Sequence, residues 1–261
     1  MENQEIFLSM HRLSTAVRNN IIRNTSSRDM IGTRKLVVAC STDPALRHKI
    51  DGCNGRAPCW SPACPACAGR RGRRYFRDSL GPALDGVDPD DLRWVSVNVT
   101  ESDCLAAGAN LLATTEHRAL RHIMSNLRVP RYIRSEVMPA ECRPRVWGAR
   151  EVEPVRQPHG SFRWLWHWHM IVKLDGIDVD LLADALRIRW PGARAVRVQP
   201  IKATSPRQLN RSLSRLAVYP VKARYTYRTG LCREWLPPDE IDKLSRWRAS
   251  LSSNWTRFSI R

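Results

Sequence analysis

The sequence predicts an α+β fold, with a core of four or five strands and helices covering one face of the sheet. Three observations carry that prediction. Segments rich in β-branched and aromatic residues recur along the 261-residue chain. Between them lie stretches with apolar residues at helical spacing. The order is strand, helix, strand, loop, strand, helix, strand, helix, with no internal repeat.

Residues 1–33 are polar and mixed, and they predict a weakly ordered lead. RKLVVAC (34–40) reads as a short strand that opens a cysteine-rich basic module over 34–80. The main domain is expected over 88–228. DLRWVSVNVTESD (91–103) alternates and ends in a polar turn, as a strand does. Residues 104–128 carry Leu and Ile at helical spacing, with Gly108 as an interruption. RYIRSEVMP (131–139) reads as a second strand closed by Pro139, and the proline-rich stretch 140–160 reads as a loop. SFRWLWHWHMIVKL (161–174) is the strongest strand in the chain. A turn and helix follow over 175–192, then a strand over 193–201. A helix begins near 205 with Leu209, Leu213 and Leu216 on one stripe. Residues 229–261 read as a basic, polar tail.

Composition narrows the function. The formal net charge is +18, from 43 Lys and Arg against 25 Asp and Glu. A field of that sign favours a polyanionic partner, nucleic acid first. Arginine dominates the cations, which suits bidentate contact with phosphate and guanine. No run reaches the 18 or so apolar residues of a membrane span. The N-terminus lacks the apolar stretch and cleavage site of a signal peptide. The expectation is therefore a cytoplasmic protein with reduced cysteines that serve as ligands rather than disulfides.

Four of the eight cysteines fall in the pattern C-x5-C-x4-C-x2-C, at Cys53, Cys59, Cys64 and Cys67. Four thiolates close a tetrahedral Zn²⁺ site, and the C-x2-C pair is its usual half. The first pair is widely spaced, and Cys40 or His48 could replace either member. Directly after Cys67, the stretch AGRRGRRYFR holds five arginines in ten residues: Arg70, Arg71, Arg73, Arg74 and Arg77. Those arginines and the neighbouring aromatics suit a phosphate backbone.

On a strand, residues two apart share a face. Leu165, His167, His169 and Ile171 then lie on one side, and Trp164, Trp166, Trp168, Met170 and Val172 on the other. The tryptophan side is core, and the two imidazoles project together from the opposite side. An H-x-H pair alone more often meets solvent or hydrogen-bonds to its neighbours. With a carboxylate such as Glu136, from the expected strand 131–139, the pair makes a site for Mg²⁺ or Mn²⁺ that could also take zinc. Tyr219, with Lys222 three residues on, supplies a phenol near a cation. Such a phenol can attack a phosphodiester whose charge a metal offsets, leaving a 5′-phosphotyrosine and a free 3′-OH.

Taken in order, CWSPACPACAGRR, RWVSVNVT, RYIRSEV, WHWHMIV and AVYPVKARY resemble the segments of the rolling-circle replication initiators (plasmid Rep proteins) of the HUH endonuclease superfamily. The resemblance covers roughly residues 50–228. It implies a mostly antiparallel sheet and a small N-terminal zinc-knuckle module. It implies His167, His169 and Glu136 as ligands of a catalytic Mg²⁺ or Mn²⁺, with Tyr219 as nucleophile and Lys222 beside it. The partners it implies are single-stranded or hairpin origin DNA and a host helicase and polymerase. IS91-like transposases use related chemistry. Where some relatives carry a glutamate one turn before the tyrosine, this chain has Arg215, a further DNA-contact candidate, and Tyr225 is then a possible second tyrosine. Pro220 disfavours a helix continuing through Tyr219.

Overall fold

The computed structural model describes residues 27–54, 56–127, 144–218, 224–229, 232–252 and 255–260. The chain divides into two compact units, 1–71 with 222–253 and 72–221 with 254–261.

The first unit contains the helices Ser27–Cys40, Pro44–Asp51 and Pro238–Ser250, and a two-stranded hairpin, Thr226–Thr229 with Cys232–Trp235. The segment 34–40, expected as a strand, is the last part of the first helix. Its buried residues, Val37 and Cys40, are three apart, which is helical spacing. A short apolar run does not separate helix from strand, and here the helical face wins. Asp43 caps the next helix by accepting from the Ala45 and Leu46 amides. Asp242 accepts from both the amide and the hydroxyl of Thr42, at 2.9 and 2.8 Å. This joins the last helix to the turn between the first two. The segment after 228, expected as a tail, thus holds a strand and a buried helix of this unit.

The second unit is built on a five-stranded antiparallel sheet of order β4-β1-β3-β2-β7. Its strands are β1 (Leu92–Ser102), β2 (Arg145–Arg156), β3 (Phe162–Lys173), β4 (Val196–Pro200) and β7 (Arg257–Ile260), the hairpin of the first unit supplying β5 (Thr226–Thr229) and β6 (Cys232–Trp235). The strand expected over 131–139 lies outside the described residues. The stretch 140–160, expected as a loop, contains β2, which forms a hairpin with β3. Its burial hides it: both faces of β2 are covered along most of its length, so no alternation shows. Pro154 sits beyond the segment of β2 that pairs with β7, so its missing N–H leaves that pairing intact.

The core lies on the tryptophan face of β3. Trp164, Trp166, Trp168, Met170 and Val172 are all fully buried there. The helical run Leu105–Asn126, which includes a π turn at Leu112–Glu116, covers this face together with the helix Val179–Arg189. Gly108, the interruption in the sequence pattern, lies where the Trp166 indole meets the helix. A Cβ on it would stand 2.0 Å from the indole nitrogen. Trp190, which caps the helix Val179–Arg189, packs edge-on against Trp168 at 5.2 Å. On the same face Arg150 donates to the carbonyls of Trp255 and Arg257, which fastens the C-terminal strand to β2. At one end of the histidine face, the helix Pro206–Val218 packs Leu209, Leu213 and Ala217 with Leu80 and Leu84 over Leu92 and Ile171. His167 and His169 lie on the rest of that face.

Candidate metal centres

The two imidazoles sit on the central strand. His167 and His169 face the same way, as the two-residue period requires. Opposite them on β2, the hairpin register pairs Glu151 with His167 and Ala149 with His169. The carboxylate reaches both rings: one oxygen, Oε2, lies 3.0 Å from His167 Nε2 and 2.7 Å from His169 Nε2. Candidate ligand atoms of all three residues lie within 4.8 Å of one another. The Glu151 side chain is 1% exposed, and those of His167 and His169 are 7% and 12% exposed. Trp94 of β1 stacks on the His169 ring at 5.3 Å and 9°, and the two imidazoles meet edge to face at 4.9 Å.

A buried carboxylate is costly unless paired. The same constellation meets that cost in two ways. Without a cation, the imidazoles donate N–H bonds to the carboxylate. With one, three ligand atoms about 2.1 Å from the ion stand about 3 Å apart in octahedral geometry, close to the observed spacing. Two imidazoles and one carboxylate form a donor set open to several divalent ions. Beside His169 a cavity of about 20 Å³ has room for one water-sized group. Its walls include Tyr75, Trp94, Trp147 and Arg257, and also Leu216 and Ala217 from the end of the helix Pro206–Val218.

Glu136 lies outside the described residues, and the carboxylate that the described residues bring to the histidines is Glu151. Sequence reading misses it because β2, with its proline and glycine, reads as a loop. A signal was present. The hairpin turn Gln157–Gly160 places Arg156 opposite Phe162, and counting back five residues on one strand and forward five on the other sets Glu151 against His167. Tyr219 and Lys222 also lie outside the described residues. The helix before them ends at Val218, ahead of the Tyr219–Pro220 step. Arg215 is exposed on that helix. Tyr225 is 1% exposed in the first unit, donates to the Ala63 carbonyl at 2.8 Å and lies under the Arg248 guanidinium at 5.1 Å. Burial pushes its phenol up to about 12.

The cysteine cluster belongs to the first unit. Cys53, Cys59, Cys64 and Cys67 bring their sulfurs within 4.8 Å of one another, and none is in a disulfide. Cys67 Sγ lies 3.4 Å from Cys53 Sγ and 3.7 Å from Cys59 Sγ. A tetrahedral zinc with Zn–S bonds of about 2.3 Å sets its sulfurs about 3.8 Å apart, so the four residues fit that ion. Cys40, an alternative ligand on sequence grounds, is buried elsewhere in the unit and is not among the four. Neighbouring cations hold the loop. Arg34 donates to the Cys53 carbonyl, and Arg71 to the carbonyls of Ser61 and Pro62. Arg71, expected to face DNA, is thus turned into the cysteine loop, where the carbonyls need donors. Of the other arginines in the run, Arg70 is half-buried, whereas Arg73, Arg74 and Arg77 are exposed. Arg74 and Arg77 each pair with Asp78, at 3.4 and 2.6 Å.

No family model, no curated protein and no solved structure matches this chain. Among the described residues, no helix is long and apolar enough to cross a membrane.

Proposed function

We propose that this chain is a metal-dependent, nucleic-acid-processing protein, and more narrowly a rolling-circle replication initiator. In this reading Glu151, His167 and His169 hold a catalytic Mg²⁺ or Mn²⁺, and Cys53, Cys59, Cys64 and Cys67 hold a structural Zn²⁺. Tyr219, assisted by Lys222, attacks a phosphodiester of single-stranded or hairpin origin DNA. The P–O3′ bond breaks, the tyrosine oxygen takes the 5′ phosphate, and the 3′-oxygen leaves and is protonated. The freed 3′-OH would prime a host polymerase behind a host helicase. The single observation that carries the reading is the convergence of two imidazoles and a carboxylate from adjacent strands on one point. The net charge of +18 supports a nucleic-acid partner. The cavity shared by His169 and the last turn of the helix before Tyr219 supports that tyrosine as nucleophile.

The metal, when bound, would polarise the scissile phosphate and offset the charge that develops on it. The chain's own residues do the rest. Glu151 and Trp94 fix the two imidazoles in place, and the tryptophan face keeps the strand rigid behind them. A second reading, a zinc-containing DNA-binding protein without cleavage, is favoured by the cysteine cluster and the exposed Arg73, Arg74 and Arg77, which need no nucleophile to bind a phosphate backbone. An IS91-like transposase would share the nicking chemistry. Incubation with labelled single-stranded DNA from its own replicon and Mn²⁺ should give a covalent adduct that Tyr219→Phe abolishes and Tyr225→Phe leaves intact, if Tyr225→Phe stays folded. Binding without an adduct would establish the second reading.

A further inference from the structure

The register of the sheet sets five residues in one row across the histidine face. Arg197 of β4 lies opposite Ser96 of β1, Ser96 opposite His169, His169 opposite Ala149 of β2, and Ala149 opposite Arg257 of β7. Directly opposed residues point to the same side. The row therefore reads arginine, small residue, histidine, small residue, arginine. Strands are about 4.8 Å apart, so each arginine starts about 10 Å from the metal centre, one on either side. Ser96 and Ala149 are small, and Ala149 lines the cavity beside His169.

Both arginines are placed for a ligand on this face. Arg257 lines the cavity beside His169, and its guanidinium lies 4.4 Å above the Tyr75 ring, which holds it against the sheet. Arg197 is exposed and has no ion pair among the described residues. The row is too long for a small anion and matches a chain of them. Successive phosphates of a single strand are about 6–7 Å apart, the length of a backbone repeat at full extension. One phosphate at the metal then has neighbours within reach of a flexible arginine on each side.

We infer that Arg197 and Arg257 form a two-sided phosphate cradle that lays single-stranded DNA across the sheet, with the strand's direction perpendicular to β3 and its central phosphate at His167, His169 and Glu151. This inference rests on the proposed nucleic-acid function and deepens it. It makes Arg197 and Arg257 positioning residues for the substrate backbone, without any role in base recognition.

The test is the salt dependence of binding by the full chain to a fluorescent thymidine oligonucleotide of about twelve nucleotides, within the usual single-strand site size. Each contacted phosphate contributes about 0.7 to the slope of log affinity against log salt. Arg197→Ala and Arg257→Ala should each lower that slope by about 0.7, and the double variant by about 1.4. Arg257→Lys keeps the charge and should restore the slope, which a merely structural role in β7 would not do. Arg187→Ala, an exposed arginine on the helix over the tryptophan face, should leave the slope unchanged. Thermal unfolding identifies any variant that fails to fold, and Arg197→Ala, at an exposed position, then decides. If the wild type binds and the slope is unmoved by the row variants, or falls equally with Arg187→Ala, the cradle is overturned while the nucleic-acid reading stands. If the wild type does not bind the oligonucleotide at all, the functional reading itself fails and takes the cradle with it.

Discussion

Replacing Glu151 by glutamine separates the two states of the histidine cluster. The amide keeps the size of the carboxylate and can accept a hydrogen bond from one imidazole while donating to the other. The metal-free protein should therefore change by no more than about 1 kcal/mol, the net worth of one hydrogen bond. The ion should be affected far more, because Glu151 is its only anionic ligand among the three residues and is buried with them. With Mn²⁺ a hundredfold above its dissociation constant, the wild type gains about 2.7 kcal/mol of stability by mass action. For a sheet unit of about 150 residues that corresponds to a rise in Tm of about 5–11 °C. A hundredfold loss of affinity in Glu151→Gln reduces the gain to about 0.4 kcal/mol and the shift to about 2 °C or less. The assay is differential scanning calorimetry of zinc-loaded protein titrated with Mn²⁺, a hard ion that competes poorly for thiolates. The same shift in Glu151→Gln as in the wild type would refute the centre as described. Loss of the shift in Glu136→Gln, with Glu151→Gln unaffected, would return the third ligand to the position that sequence reading gave it.

Three further outcomes follow from the packing and the charges. Cys64→Ser, or chelation of zinc, should abolish cooperative unfolding of the first unit, since metal binding there is folding free energy; identical melts with and without chelator would exclude a structural ion. Gly108→Ala puts a methyl 2.0 Å from the Trp166 indole nitrogen and should cost about 1–3 kcal/mol by urea denaturation, despite alanine's better helix propensity; a stabilised variant would show that the indole moves aside freely. His117 is held down at about 4, first by burial and then by Arg150 and Arg121. Its folded pKa lies below the unfolded value near 6.5, so its contribution is full above that value and is lost as pH falls from about 6.5 to about 4. For a half-exposed ring the effect is discounted to about 1 kcal/mol, and His117→Gln should flatten the stability profile in that window.

Much of the second unit is legible in the sequence. β1, β3 and β4 and the helices 105–126, 179–189 and 206–218 follow from alternation, β-branched and aromatic content and helical spacing, β3 despite burial along most of both faces. The side on which the histidines lie follows from the same period. β2 escapes because its two faces are both covered, and its proline and its glycine mimic a loop. That one misreading costs the candidate site its carboxylate, since Glu151 lies on the element that does not look like a strand. The grouping of the four cysteines is readable from spacing alone. The inward turn of Arg71 was not, because a basic run does not show which of its members will meet backbone carbonyls.

The hairpin that carries Glu151, His167 and His169 is joined by a short exposed turn, Gln157–Gly160. Surface turns ordinarily absorb insertions and deletions with little effect. This one does not have that freedom. Adding or removing a single residue while the strands keep their pairing would set His167 against Val152 or Arg150, exchanging the anion for a hydrocarbon or a second positive charge. The length of that loop, and not its composition, is therefore what keeps Glu151 facing the two imidazoles.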